Sequence, residues 1–235
     1  MLYITGDTHG ETSRIWYLER TWHMTWQDTL IICGDFGFIW NGSPKENAFL
    51  DQWADSPYTV CFVDGNHENF DLLKLYPEEE WNGGRVHRIR RNILHLMRGQ
   101  VYTMEGKTFF TMGGAYSIDR YMRTKNISYW DEELPDSDDY HEADRNLKAH
   151  DYKVDYVLTH TAPREVIRYL AGKGRFFLDE HDAELTGYLE YLRHELQFSH
   201  WYFGHFHADM EITDKFTLLF QKVVPLGQPH ETDED

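Results

Sequence analysis

The sequence predicts an α/β fold in which strands and helices alternate in layers. Short apolar runs rich in β-branched and aromatic residues recur along the chain, and amphipathic segments separate several of them. Each apolar run is followed at once by Gly, Asp, Asn or His. The runs that we predict as strands are 2–5 (LYIT), 29–33 (TLIIC), 58–63 (YTVCFV), 156–160 (YVLTH) and 201–205 (WYFGH).

Three segments have the apolar spacing of amphipathic helices. In 12–22, Ile15, Leu18 and Trp22 recur at helical intervals behind a Thr/Ser cap. The segment 43–53 begins with Ser-Pro, which suits the first two positions of a helix. In 182–196, leucines and a tyrosine share one face. We expect these apolar faces to pack in the core.

The middle and the end of the chain have a different, antiparallel character. We predict a β-meander over 93–116, with EGK (105–107) as a hairpin turn, and a second hairpin over 210–220. Two sheets, parallel and antiparallel, are therefore expected to pack face to face with helices outside. No internal repeat or Gly/Ser/Pro-rich linker is visible, so we predict a single domain over 1–235.

Charge and cysteine content limit the classes of partner. The 235 residues carry a formal net charge of −17, which disfavours bulk nucleic acid and anionic membranes but leaves small anionic substrates open. Cys33 and Cys61 lie in apolar runs and are expected to be buried free thiols. No signal sequence and no apolar run long enough to span a bilayer are visible. We therefore expect a cytoplasmic protein.

Aspartate, asparagine and histidine residues follow directly after the predicted strands. Carboxyl ends of strands in a layered α/β fold meet at one edge, so we expect these residues to share a site. Oxygen and nitrogen ligands without cysteine suit manganese, zinc or iron. Seven or eight ligands suit two divalent ions roughly 3.5–4 Å apart, with Asp35 as the bridge. His205 and His207 would each bind a different ion. The candidates are Asp7, His9, Asp35, Asn66, His67, His160, His205 and His207.

The order of these motifs resembles the calcineurin-like metallophosphoesterase superfamily. The motifs are GDTHG (6–10), Gly-Asp (34–35), GNHE (65–68), His160 and GHFH (204–207). The resemblance implies a four-layer αββα sandwich of two mixed β-sheets with a dinuclear metal centre. It implies that Asp7, His9 and His207 bind one ion and that Asn66, His160 and His205 bind the other, with Asp35 between them. His67 would anchor the phosphate or protonate the leaving oxygen.

One departure from related enzymes concerns the segment after Asp35. Ser/Thr phosphatases and diadenosine-tetraphosphate hydrolases of this superfamily have Asp-Arg-Gly closely after Gly-Asp, whereas this chain has GDFGFIW (34–40). The aspartate that would pair with His67 is missing, as is the arginine. We therefore do not expect specialisation as a protein phosphatase. GHFH is more similar to the bacterial and phosphodiesterase branches.

The expected function is hydrolysis of phosphate monoesters or diesters by attack of a metal-held hydroxide, with His67 and Asp35 as catalytic residues. Asn66, His67, Arg120 and Arg123 are the candidate substrate contacts, since guanidinium groups match phosphate oxygens. Tyr116, Tyr121 and Trp130, within 113–130, could stack on a base or an aromatic leaving group. The substrate is expected to be a small phosphate ester, with nucleotides included. We assign 115–150 to a substrate-side insertion and 228–235 to an acidic tail.

Two alternatives remain open from the sequence. The chain could be a non-catalytic scaffold of this fold, although all seven metal positions and His67 are filled. It could also be a nucleic-acid-binding module that uses the five arginines of 85–98, which would otherwise form a solvated face or the wall of an anion-binding cleft. The acidic segment 131–151 is expected to be a solvated loop and helix.

Overall fold

The secondary structure comes from a computed structural model, which describes residues 1–174 and 181–226. The helices are α1 (Thr12–Trp22), α2 (Pro44–Trp53), α3 (Phe70–Leu73), α4 (Ser137–Ala149), α5 (Arg164–Gly172) and α6 (Ala183–Glu195). The strands are β1 (Leu2–Thr5), β2 (Thr29–Cys33), β3 (Thr59–Val63), β4 (Glu78–Trp81), β5 (Gly84–Arg90), β6 (Ile93–Leu96), β7 (Val101–Met104), β8 (Lys107–Met112), β9 (Tyr156–Thr159), β10 (His200–Phe203), β11 (Met210–Thr213), β12 (Phe216–Leu218) and β13 (Val224–Leu226). The predicted acidic tail, 228–235, lies outside the described residues.

The strands form two sheets, and both are mixed. The first has the order β13-β1-β2-β3-β6-β5-β4, with β1, β2, β3 and β6 parallel and the outer strands antiparallel. The second has the order β11-β12-β10-β9-β8-β7, with a parallel centre and an antiparallel strand at each edge. Parallel and antiparallel pairs therefore occur within each sheet, not in separate sheets.

The two sheets pack face to face, and helices cover the outer faces. Between the sheets, Ile4, Ile31 and Val63 of the first sheet share an apolar cluster with Phe109 and Leu158 of the second. The other face of the first sheet packs against α1 and α2, and the other face of the second packs against α4, α5 and α6. Both sheet faces are thus buried, which explains the near-continuous apolar runs of the central strands. The four-layer αββα architecture is confirmed.

The predicted meander over 93–116 is wrong as a single unit. The hairpin of β7 and β8 around EGK is present, but β6 belongs to the other sheet, where it pairs in parallel with β3 and antiparallel with β5. The chain crosses from one sheet to the other between β6 and β7. The hairpin predicted over 210–220 is confirmed as β11 and β12.

Helix α2 begins as the sequence predicts, whereas α1 does not. The Ser43 hydroxyl accepts a hydrogen bond from Glu46 N at 3.2 Å, with Pro44 in the first turn. The residue that precedes α1 is Glu11, and no side chain caps that end. The predicted Thr/Ser pair lies inside the first turn of α1 instead.

The acidic segment 131–151 contains α4, which begins with a capping box of Asp136 and Asp139. Its buried residues Ala143 and Leu147 pack in the outer core of the second sheet. The segment of the predicted insertion before α4 contacts the strand ends, where Ser117 Oγ accepts from Asn66 Nδ2 at 3.0 Å.

Candidate metal centre

The predicted ligands do follow parallel strands at one edge of the sandwich. Asp7, Asp35 and Asn66 lie just after β1, β2 and β3, which are neighbours in the first sheet. His160 and His205 lie just after β9 and β10, which are neighbours in the second. Because both groups of strands end at the same edge, side chains more than 150 residues apart are brought into contact.

One group of four side chains converges closely. Asp7, His9, Asp35 and His207 each offer a ligand atom, and these atoms all lie within 4.8 Å of one another. His9 Nε2 is 3.7 Å from both Asp7 Oδ2 and Asp35 Oδ2, and His207 Nε2 is 3.2 Å from Asp7 Oδ2. This is the set that the family resemblance assigns to the first ion, together with the bridging Asp35.

A second group adjoins it on the other side of Asp35. His160 Nε2 lies 3.1 Å from Asn66 Oδ1 and 3.3 Å from Asp35 Oδ1. The rings of His160 and His205 are in edge contact, with centroids 4.9 Å apart. The two oxygens of Asp35 therefore face different groups, Oδ1 towards His160 and Oδ2 towards His9.

The hydrogen bonding around His160 and Asp7 shows whether cations fit the two ligand groups. His160 Nδ1 lies 2.9 Å from the carbonyl oxygen of Cys33, to which it donates, so its Nε2 faces two oxygen acceptors. Asp7 Oδ2 is buried and accepts no hydrogen bond, although His207 lies nearby. Converging lone pairs of this kind need a shared cation, and a divalent metal ion supplies one. The residues present therefore fit a metal centre.

At Asp35, His9 and His205 the electrostatics favour the protonation states that metal ligands require, whereas at His160 and His207 nearby carboxylates raise the pKa. Burial alone would raise the pKa of Asp35, but His160, with His67 and His9, outweighs it and the pKa falls well below its usual range. Burial lowers the pKa of His205 to about 3 and also lowers that of His9. Burial would lower the pKa of His160 too, but Asp35 and Asp7 raise it. An ionised bridge thus lies among imidazoles, of which His205 and His9 are held neutral.

Four of the candidate ligands have a backbone conformation that L-residues rarely adopt. His9, Asp35, His205 and His207 have φ values of 49°, 47°, 69° and 46°. Such residues cost of order 1–3 kcal/mol each and cluster at functional sites. Gly34, with φ of 92°, turns the chain directly before Asp35, and a Cβ there would overlap the His160 ring.

His67 lies at the edge of this group, beside the predicted phosphate contact Arg123. Its backbone N–H donates to Asp35 Oδ1 at 2.8 Å, and its ring meets that of His9 with centroids 5.1 Å apart. Arg123 Nη2 lies 3.1 Å from His67 Nε2. A guanidinium group can only donate, so Nε2 accepts this bond. Burial and Arg123 both lower the pKa of His67, although Asp35 opposes them.

The expectation that Arg120 faces the phosphate needs correction. Its guanidinium pairs with buried Glu133 at 3.2 Å and donates to the Trp130 carbonyl oxygen at 3.0 Å, so it holds its own segment together. Trp130 is likewise buried, and Tyr116 stacks on His181. Tyr121 remains exposed. Of the residues predicted in 113–130 to meet the substrate, Arg123 is therefore the one that contacts a candidate site residue.

Sequence reasoning missed three buried polar residues that support the site. Asn66 Nδ2 donates to Ser117 Oγ at 3.0 Å, which orients its oxygen towards His160. Glu68 accepts from Phe36 N at 2.7 Å and so ties the GNHE loop to the loop after β2. Asp64 forms a buried ion pair with Arg98. Glu68 is the last residue of the GNHE motif and Asp64 directly precedes it, which was the signal available for them.

The five arginines of 85–98 do not form an open basic surface. Arg98 is buried against Asp64, and the other four bind acceptors on neighbouring elements. Those pairs are Arg85 with Glu78, Arg88 with Glu79, Arg90 with Asp51, and Arg91 with the carbonyl oxygen of Ala54.

A comparison with known protein families covers all the candidate ligands. The family model for calcineurin-like phosphoesterases matches residues 2–209, which include every candidate ligand. The chain belongs to the calcineurin-like phosphoesterase family. A search of curated proteins gives no match. Membership implies metal-dependent hydrolysis of phosphate esters in general and leaves the substrate open. Within residues 1–174 and 181–226, no helix combines the length and apolar character needed to cross a bilayer.

Proposed function

We propose that this phosphoesterase hydrolyses small phosphate esters at a centre of two divalent ions. The observation that carries the proposal is the position of Asp35, whose two oxygens face two separate ligand groups. Asp7, His9 and His207 would hold one ion, and Asn66, His160 and His205 the other. Manganese, zinc and iron all suit this set of oxygen and nitrogen donors. When bound, the two ions would lower the pKa of a water molecule and neutralise charge on the phosphoryl oxygens.

His67 and Arg123 would bind the phosphate together. Arg123 Nε pairs with Asp119 at 2.7 Å and Nη1 donates to the Ser128 carbonyl oxygen at 3.0 Å, so Nη2, the nitrogen beside His67, would donate to a non-bridging phosphate oxygen. While Arg123 donates to Nε2, the ring proton of His67 lies on Nδ1, so this histidine would donate a hydrogen bond to the ester. His67 is thus placed as an anchor for the phosphate, or for the leaving oxygen as negative charge develops there.

The nature of the substrate belongs to the same proposal. A net charge of −17 would repel long polyanions, whereas a small ester can be drawn in by the bound cations and Arg123. We therefore favour small esters, nucleotides included, over bulk nucleic acid. Buried free thiols at Cys33 and Cys61 fit a reducing compartment, and we propose the cytoplasm.

Metal reconstitution tests the proposal directly. Purified protein is depleted with a chelator, loaded with Mn²⁺, Zn²⁺ or Fe²⁺, and assayed on mono- and bis-para-nitrophenyl phosphate. We expect turnover that depends on metal, and bound metal close to two equivalents by elemental analysis. Asp35→Asn should lose turnover by a factor of at least about 100, because the shared ligand is weakened. The exposed Asp55→Asn is the matched control and should retain wild-type turnover.

Two results would contradict the proposal. A loaded protein without turnover on either ester would favour the scaffold alternative, and so would a protein that takes up no metal. The nucleic-acid-binding alternative is less well supported, because each arginine of 85–98 already binds an acceptor within the chain. Salt-dependent binding to oligonucleotides that is lost on charge removal there would restore it.

A further inference from the structure

A cavity of about 360 Å³ adjoins the candidate metal centre on the side of α2. His9 and His67 form its inner end, and Phe38, Trp40 and Phe49 form its aromatic wall. Its volume is at the lower end of the range typical of ligand pockets, about 300–1,000 Å³. The space thus suits one ring system held beside the reacting phosphate. Gly37, Phe38 and Trp40 of its lining belong to GDFGFIW (34–40), the segment that departs from the protein phosphatases.

The aromatic wall is held in place by the surrounding chain. Phe38 and Phe49 stack with centroids 4.7 Å apart and an interplanar angle of 17°. Trp40 packs edge to face on buried Trp130 at 5.6 Å. Its carbonyl oxygen accepts from Asn69 Nδ2 at 2.7 Å. Little ordering of these rings is therefore required when a ligand enters.

The rim of the cavity offers hydrogen-bond donors and a positive charge. Lys45 lies in the lining, and none of the carboxylates in the described chain pairs with it. The carboxylate of Glu46, also in the lining, already accepts the backbone N–H groups of Trp40 and Asn41. Asn41 Oδ1 accepts from Ser43 N at 2.8 Å, so the rim donors left without an acceptor among the described residues are Lys45 Nζ and Asn41 Nδ2. These donors suit a ring that bears nitrogen and oxygen acceptors better than a hydrocarbon ring.

We propose that this aromatic cavity binds a nucleobase, so that the substrate is a phosphate ester of a nucleoside. The proposal rests on the proposed phosphoesterase function and names its substrate class. The phosphate would lie at the metal centre beside His67 and Arg123, while the base enters between Trp40 and Phe49. Base–aromatic stacking contributes about 1–3 kcal/mol per base, and it tolerates different bases because each has a flat face. We therefore expect the cavity to favour esters that carry a base over esters without one, and to discriminate little between different bases.

Calorimetry with two ligands that differ only in the base tests this proposal. The Mn²⁺-loaded protein is titrated with phosphonate analogues of AMP and of ribose 5-phosphate, in which a carbon replaces the ester oxygen and blocks hydrolysis. We expect the AMP analogue to bind about tenfold more tightly than the ribose analogue. Trp40→Ala should remove most of this preference and leave the ribose analogue unaffected. Trp26→Ala, at a tryptophan that is 75% exposed and outside the cavity lining, is the matched control.

Two further variants keep the test decisive if Trp40→Ala does not fold. Trp40→Leu keeps apolar volume without a ring and should lose the preference, whereas Trp40→Phe keeps a ring and should retain part of it. Equal affinity of the two analogues for the wild-type protein would overturn the proposal, and so would an unchanged preference in Trp40→Leu. The binding experiment needs no turnover. Failure of the phosphoesterase function would appear separately, as absent metal-dependent cleavage of para-nitrophenyl esters.

Discussion

Removal of the Arg98 side chain is predicted to destabilise the protein far more than removal of a surface arginine. Arg98 Nε and Nη2 donate to Asp64 Oδ2 at 2.9 and 2.5 Å, and Nη2 also donates to the Glu132 carbonyl oxygen at 2.7 Å. The side chains of Asp64 and Arg98 are 1% and 8% exposed. In Arg98→Met, Asp64 keeps only His95 Nε2, at 3.1 Å, as a side-chain partner. A carboxylate would then be buried without a counter-charge.

The expected magnitude follows from that burial. Breaking a buried ion pair by removal of one partner costs about 3–5 kcal/mol, a large fraction of the roughly 5–15 kcal/mol that stabilises a typical domain. For a chain of this length, 1 kcal/mol shifts the melting temperature by about 2–4 °C. We therefore expect Arg98→Met to lower the melting temperature by about 10 °C. Arg88→Met is the matched control, because Arg88 pairs with the partly exposed Glu79 and such pairs contribute about 1 kcal/mol or less.

Calorimetry and urea denaturation, both with the metal-depleted protein, measure the two variants. The double variant Asp64→Asn/Arg98→Met should recover a substantial part of the loss, because residue 64 is then no longer a buried carboxylate and Asp139, the other acid that pairs with Arg98, is 32% exposed. If Arg98→Met and Arg88→Met lower the stability equally, the buried ion pair is not the cause. The same conclusion would follow if the double variant were no more stable than Arg98→Met.

Three further variants test the site and the pH dependence. Metal at one hundred times its dissociation constant should stabilise the wild-type protein by about 2.7 kcal/mol, seen as a thermal shift, and Asp7→Asn should lose most of that shift. Thr108 N–H lowers the pKa of Asp155, so Asp155→Asn should cost about 1 kcal/mol at pH 7, with a difference that fades below about pH 4 as the wild-type carboxyl is protonated. A wild-type-minus-variant difference that grows in acid would contradict this assignment. Gly34→Ala should displace the His160 ring and abolish metal-dependent turnover, whereas Gly106→Ala, also at positive φ but with no atom near its Cβ, should cost only about 1 kcal/mol and keep turnover.

The parts of the fold that were predictable are those with a local signal. The strands β1, β2 and β3 are apolar runs that end in Gly-Asp or Asp-Gly, and their bounds agree with the predicted ones to within one residue. The ligand motifs were predictable for the same reason, since each lies directly after such a run. Strands that are buried on both faces require apolar residues at nearly every position, so they are recognisable in the sequence.

Strand pairing was less predictable, because it depends on distant residues. Nothing in 93–116 indicates that β6 lies in a different sheet from β7 and β8. It pairs with β3, where Ile93 lies opposite Val60. Strand β4 carries three glutamates in a row, which reads as a solvated segment. It forms a strand at the sheet edge because Glu78 and Glu79 meet Arg85 and Arg88 of β5 across the hairpin.

The substrate side of the site was also beyond local reasoning. Arg120 and Arg123 look equivalent in the sequence. In the structure Arg120 forms an ion pair with Glu133, whereas Arg123 contacts His67. Trp130 is buried under Trp40, so the aromatic surface at the site comes from 36–49 and not from 113–130. The arginine that reaches His67 lies 56 residues from it in the sequence, and the ring contact between Trp40 and Trp130 joins segments 90 residues apart, so neither contact has a local signal.

Hydrogen bonds between two loops hold the strained backbone at His9 and Asp35. The amides of Thr8 and His9 donate to the Asp35 carbonyl oxygen at 3.0 and 2.8 Å, and Gly10 N donates to the Phe36 carbonyl oxygen at 3.0 Å. The loops after β1 and β2 are therefore bonded to each other, and this fixes His9 and Asp35 at positive φ. Conformations that cost free energy persist only where neighbouring contacts over-determine them. Here those contacts are backbone hydrogen bonds between the two loops, so the fold itself sets the backbone conformation of His9 and Asp35.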